Sequence, residues 1–89
     1  LRMPDEAGPD AKLLAVPIDK LWTLYRQVQK AEDMPAQLIA QIAHFFQHYK
    51  DLEPNKWVKV EGWADGNAAK AEILAGMERY QNAKEKPYF

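Results

Sequence analysis

The chain has no cysteine. Disulfides, thiolate zinc sites, iron–sulfur clusters and thiol nucleophiles are therefore excluded. Two histidines are too few to make a multi-histidine metal centre alone. No apolar run approaches the ~18 residues that cross a membrane as a helix. With Gly 4 and Pro 6 in 89 residues, collagen-like repeats and low-complexity linkers are also out. Neither charge dominates: 12 Lys+Arg against 13 Asp+Glu leave a net charge of −1. No basic field draws the chain onto nucleic acid or anionic lipid, so neither a nucleic-acid nor a membrane partner is expected. No charged start followed by an apolar stretch marks a signal peptide, and together with the missing cysteine this sets the expectation of a cytoplasmic protein. The opening Leu1-Arg2-Met3 reads as though the chain starts inside a longer one.

What is present is globular in balance: 47% hydrophobic and 28% charged residues over 89 positions, enough for one small domain. A domain of this size buries only ~60–65% of its unfolded surface. Three Trp, four Tyr and three Phe supply large apolar areas, either for a core or for a surface that awaits a partner.

Local patterns suggest an α+β order. Gly8-Pro9 punctuates a turn between Asp5 and Asp10, and residues 12–16, apolar and stopped by Pro17, read as a strand. Residues 18–34 read as a long connection holding a short helical turn. Asp33 as cap and Pro35 in the first turn predict a helix ending near Asp51, with Leu38, Ile42, Phe45 and Tyr49 at i, i+4, i+7 and i+11 and Ile39 and Phe46 beside them. Residues 55–63 alternate β-prone side chains and predict a strand. Asp65-Gly66-Asn67 is a turn and cap for a last helix over about 68–82, with Ala69, Ile73, Met77 and Tyr80 as its buried face. Residues 83–89 read as a loose tail. Three strands and two helices leave strand edges that something should pair.

Four constellations could carry chemistry. A tight turn brings Asp5 and Asp10 toward each other, and Lys12 shares a strand face with Asp10. Two close carboxylates suit a hard cation such as Mg²⁺, and a neighbouring Lys suits a phosphate, although taken alone such a turn is more often an ordinary solvated one. Tyr49-Lys50 offers an O–H and an ammonium to a phosphate oxygen, yet packing and the helix dipole explain the pair equally well. His44 and His48 have the i, i+4 spacing of H-E-x-x-H, but Phe45 stands in the Glu position, which favours a packing or interface pair. Trp57, Lys59, Glu61 and Trp63 share one strand face; the acidic Glu61 in its middle argues for packing and against base stacking.

Residues 3–12 (MPDEAGPDAK), 42–53 (IAHFFQHYKDLE) and 56–63 (KWVKVEGW) closely resemble the C-terminal half of bacterial family I soluble inorganic pyrophosphatases. The resemblance runs from Leu1 to about Tyr80, with three motifs in the family's order and spacing. It implies Mg²⁺-dependent hydrolysis of pyrophosphate to two phosphates. It implies metal ligation by Asp5 and Asp10, phosphate binding by Lys12, Tyr49 and Lys50, and a catalytic role for Asp5, Asp10 and Lys12. It also implies an OB-type β-barrel, here in part (strand-turn-strand and one further strand) with two flanking α-helices, so that residues 1–89 form the C-terminal portion of a single domain. A homo-oligomer, the family's hexamer, with contacts through His44 and His48, follows from the same likeness. The family's D-G-D-P-x-D signature is absent from these residues, which sets the expectation of about half an active site. The competing expectation is a non-catalytic fragment acting as an oligomerisation or binding module.

Overall fold

A computed structural model describes residues 1–21 and 23–85. Two short 3₁₀ turns, Thr23–Tyr25 and Ala31–Asp33, precede two helices, α1 (Ala36–His48) and α2 (Gly66–Asn82). The connection over 18–34 thus contains helical turns, as its sequence suggests.

The first twelve residues form an antiparallel hairpin. Met3 N–H donates to Asp10 O at 3.0 Å and Lys12 N–H to Leu1 O at 2.9 Å. Asp5 and Gly8 exchange both backbone bonds across the Glu6-Ala7 loop, at 3.0 and 2.9 Å. Gly8 closes it at φ 121°, a conformation that side-chain-bearing residues avoid. The opposite edge of residues 1–5 pairs with residues 58–62: Arg2 N–H donates to Gly62 O, Glu61 N–H to Arg2 O and Lys59 N–H to Pro4 O, at 2.9, 2.8 and 3.0 Å. Residues 1–5 are therefore the central element of three.

This pairing stays a set of isolated bridges, and among the described residues no continuous strand forms. The strands expected over 12–16 and 55–63 are corrected accordingly. One reason is Pro4, which has no N–H to give the ladder. A second is register: Arg2 faces Gly62 while Asp5 faces Val58, so the outer segment carries one extra residue. That is a bulge, next to Gly62 at φ 123°. Beyond Lys12 no bridge is found in residues 13–16, and Leu13 and Leu14 stand open at the edge. The alternation over 57–61 does hold: Val58 and Val60 are half-buried, while Trp57, Lys59 and Glu61 face out.

The helices form where local signals place them, with their faces turned. Asp65 caps α2 by accepting the Ala68 N–H at 2.9 Å. Asp33 does not cap α1: its Oδ2 accepts the Gln29 and Lys30 N–H groups at 2.9 and 3.2 Å, which ties the 3₁₀ turn instead. Pro35 takes the cap position, and Ile39 N–H reaches its carbonyl. The inward row of α1 is Ile39, Ile42, Ala43 and Phe46, continued by Lys50, while Leu38, Phe45 and Tyr49 are exposed. On α2 one of the four residues of the expected face is covered. Ala69 is half-buried, but Ile73, Met77 and Tyr80 are exposed, because α1 and α2 do not pack on each other. The tail expected over 83–89 lies mostly outside the described residues, which end at 85.

Among the described residues, Leu1, Met3 and Ala31 are the buried hydrophobic ones, and Met3 is wholly buried. The radius of gyration, 15.3 Å, exceeds the ~12 Å of a compact domain of this length. No helix among the described residues is long and apolar enough to cross a membrane. With so thin a core, Met3→Ala is expected to lower the unfolding free energy by ~2–4 kcal/mol in a urea titration. Leu52→Ala, at a side chain 98% exposed, is expected to change it by less than ~0.5 kcal/mol.

Candidate functional site

The hairpin turn and the end of α1 meet through charge. Lys50 lies two residues beyond the last residue of α1. Its Nζ donates to Asp5 Oδ2 at 2.8 Å and stands 3.2 and 3.3 Å from the two Glu6 carboxylate oxygens. The Lys50 and Asp5 side chains are only 13% and 12% exposed, and Glu6 25%. Asp5 Oδ1 accepts the Ala7 N–H at 2.9 Å, an Asx turn that fixes the carboxylate on its own loop. Glu6 Oε2 accepts the Trp57 N–H at 3.3 Å. One pair of adjacent acids thus joins the hairpin, the end of α1 and the segment that follows it.

The second pair sits beside the first. Asp10 Oδ1 accepts the Ala11 N–H at 2.8 Å, and its Oδ2 pairs with Lys12 Nζ at 3.2 Å. Lys12 Nζ is 6.0 Å from the Phe46 ring centroid, and Lys50 Nζ is 5.7 Å from that of Tyr49. The two rings meet edge to face at 5.6 Å. Phe46 and Tyr49 are therefore a floor with a lysine over each end and a carboxylate on each lysine. All five residues singled out in the sequence, Asp5, Asp10, Lys12, Tyr49 and Lys50, belong to this continuous set of contacts. A cavity of about 740 Å³ opens on the Asp10–Lys12 side, with Arg2, Trp63 and Glu72 also on its wall.

Two points differ from the sequence reading. Glu6 was not among the candidates, although it shares Lys50 with Asp5. Its only sequence signal is its place next to Asp5, in front of the Gly8-Pro9 turn. Lys50, expected to face phosphate, is occupied by carboxylates. The His44 and His48 rings are 4.5 Å apart on the exposed side of α1, and His48 Nδ1 lies 2.9 Å from Asp51 Oδ2.

Asp5 and Asp10 offer hard oxygen donors, the chemistry Mg²⁺ takes. Among the described residues, however, no three His, Asp or Glu side chains gather to enclose an ion. The donor type fits; the two aspartates would be part of a ligand set.

The same contacts bias protonation. The Lys50 ammonium, and then the Ala7 N–H, hold the Asp5 carboxyl below its ordinary range. Glu6 is lowered first by its own N–H, and by Lys50 and the Trp57 N–H against some desolvation. Lys50 is raised above its ordinary value, chiefly by the bond to Asp5. Depressed acids contribute stability above their unfolded pKa values and lose it as pH falls through the folded ones; a raised lysine contributes below its unfolded value and loses it as pH rises through the folded one. The clamp should therefore stabilise fully between about pH 5 and pH 10. Unfolding of the protein and of Lys50→Met, followed from pH 2 to pH 8, is expected to show a stability gap that closes below about pH 4. A gap of constant size down to pH 2 would rule out the clamp as its source.

Comparison with known proteins shows the family. The sequence model of a family described as inorganic pyrophosphatase matches residues 1–81. The chain is 61% identical over 82 residues to the inorganic pyrophosphatase of Escherichia coli (strain K12), covering 92% of this chain and 47% of that protein. It is 58% identical over 81 residues to that of Pseudomonas aeruginosa, covering 91% and 46%. Among solved structures, an inorganic pyrophosphatase from Coxiella burnetii superposes with a TM-score of 0.78 at 51% identity, covering 88% of this chain and 46% of that one. One from Helicobacter pylori gives 0.81 at 42% identity, covering 91% and 48%. The chain spans about half the length of the relatives it matches. Matched over 81 of its residues and aligned in three dimensions with solved members, it belongs to the inorganic pyrophosphatase family.

Proposed function

We propose that the protein acts in the hydrolysis of inorganic pyrophosphate to two phosphates, with Mg²⁺, and that these 89 residues carry part of the site. The observation that carries this reading is the gathering of two aspartates, two lysines and a tyrosine around one aromatic floor. Family membership supplies the reaction. A water oxygen bonds to one phosphorus, the bridging P–O bond breaks, and the two phosphates share the two protons of water.

In this reading Asp5 and Asp10 hold Mg²⁺, which when bound acidifies water and neutralises phosphate charge. Asp5 and Asp10 are fixed for that role by the Ala7 and Ala11 N–H groups, which leave one oxygen of each directed at a cation. Lys12 and Lys50 place ammoniums where phosphate oxygens would lie, and Tyr49 adds an O–H donor. Phe46 and Tyr49 lie against the two ammoniums, at 6.0 and 5.7 Å. The three extended segments would form part of an OB-type barrel. A cytoplasmic homo-oligomer, hexameric as in the family, with His44 and His48 in its contacts, completes the proposal.

A second reading has its own support. Leu13 and Leu14 at an unpaired edge, and Ile73 and Met77 along α2, are exposed apolar surface. They favour a non-catalytic module that pairs with itself or another subunit. That reading predicts an oligomer by size-exclusion chromatography with no metal-dependent turnover.

Phosphate release from Mg-pyrophosphate separates the two. The 89-residue chain alone is expected to turn over far more slowly than its E. coli relative; an equal rate would sink the reading of a partial site. Where turnover is measurable, Asp5→Asn and Lys50→Met are each expected to lower kcat/KM by about 10²–10³-fold. Unchanged kcat/KM in both variants would remove these residues from the reaction.

A further inference from the structure

We propose that Lys50 and a divalent cation compete for the Asp5 carboxylate, and that Glu6 is the positioning residue that keeps Lys50 at the site when the cation wins. The inference rests on the reading of Asp5 as a metal ligand. Its geometry is that of one ammonium shared between two acids: Lys50 Nζ is 2.8 Å from Asp5 Oδ2 and 3.2 and 3.3 Å from the Glu6 oxygens. Asp5 has no idle oxygen, since Oδ1 holds the Ala7 N–H. Glu6 is anchored independently, through the Trp57 N–H at 3.3 Å. That contact does not involve Lys50.

The physics of exchange follows from distance. A magnesium ion binds a carboxylate oxygen at about 2.1 Å. An ammonium hydrogen-bonded to that same oxygen would then stand within a few ångströms of a double positive charge, and such like charges repel strongly in a site this shielded. Lysine is the partner that can leave, because its charge rides on a flexible four-carbon stem. Glu6 offers it two oxygens without a large movement. An ammonium has three N–H donors, and the one released from Asp5 becomes free for a phosphate oxygen. Cation binding and phosphate binding are thereby linked, and by reciprocity each favours the other.

Equilibrium titration with Mn²⁺ alone, followed by electron paramagnetic resonance on the purified protein without substrate, tests the competition. Lys50→Met is expected to bind Mn²⁺ at least ~5-fold more tightly than the unaltered protein. Asp5→Asn is expected to bind at least ~10-fold more weakly. Equal or weaker Mn²⁺ binding by Lys50→Met, with binding by Asp5→Asn still impaired, overturns the competition and leaves the proposed function standing. Asp5→Asn binding as tightly as the unaltered protein overturns both. Should Lys50→Met fail to fold, the unaltered protein still answers. In heteronuclear spectra of its lysine side chains, the Lys50 ammonium signal should shift on adding Mg²⁺ while that of the exposed Lys70 stays put. A stationary Lys50 signal overturns the proposal.

Discussion

The fold and the site depend on one ammonium group. Lys50 reaches across 45 residues of sequence to Asp5 and closes the hairpin turn onto the end of α1. In a protein with a deep core such a tie would be one of many. Here, among the described residues, Leu1, Met3 and Ala31 are the buried apolar ones, and the two helices do not pack on each other. The turn's other ties to distant sequence are the Trp57 N–H on Glu6 and the backbone pairing with residues 58–62. The pair is also largely screened from water, with both side chains under 15% exposed. An ion pair in that setting gains little against an apolar replacement, because desolvation offsets much of the Coulomb attraction. Losing one partner is different, since it strands the other charge. The clamp is thus stronger as a constraint on where the turn may lie than as a source of net stability.

What could be read from the sequence was what neighbours decide. The Asp65 cap, the glycine closing the Asp5–Gly8 turn and the extents of both helices are local effects, and each appears where local chemistry puts it. The burial of helix faces is not local. Leu38, Phe45 and Tyr49 satisfy the helical period as well as Ile39, Ile42 and Phe46 do, and the period alone does not choose between the rows. The same holds for Ile73 and Met77, whose period is right but which meet no facing helix. Strand formation failed for a readable reason, Pro4, and for an unreadable one, the one-residue bulge opposite it. Asp33 went to the nearer donors, Gln29 and Lys30, which a cap rule scanning only forward does not consider.

The site shows the same division. Its residue types were readable from the turn and from Tyr49-Lys50, and the structure gathers all five. The partner of Lys50 was not readable, since nothing local links positions 5 and 6 to position 50. Glu6 escaped for that reason. It forms no spacing with Asp10 and no motif of its own, and its meaning arises only when Lys50 and the Trp57 N–H arrive.

Glu6 also settles the sign of the site. Asp5, Asp10 and Glu6 are three carboxylates; Lys12 and Lys50 are two ammoniums. Had Glu6 been neutral, each acid would have its own lysine and the site would carry no net charge. With Glu6 the balance is one negative charge, and both lysines are already engaged. On the proposed reading, a bare polyanion would meet a cluster of net negative charge in which Lys50 is already shared between Asp5 and Glu6. On the same reading, a divalent cation would meet the complementary sign and, by drawing off the Asp5 carboxylate, would free an N–H of Lys50.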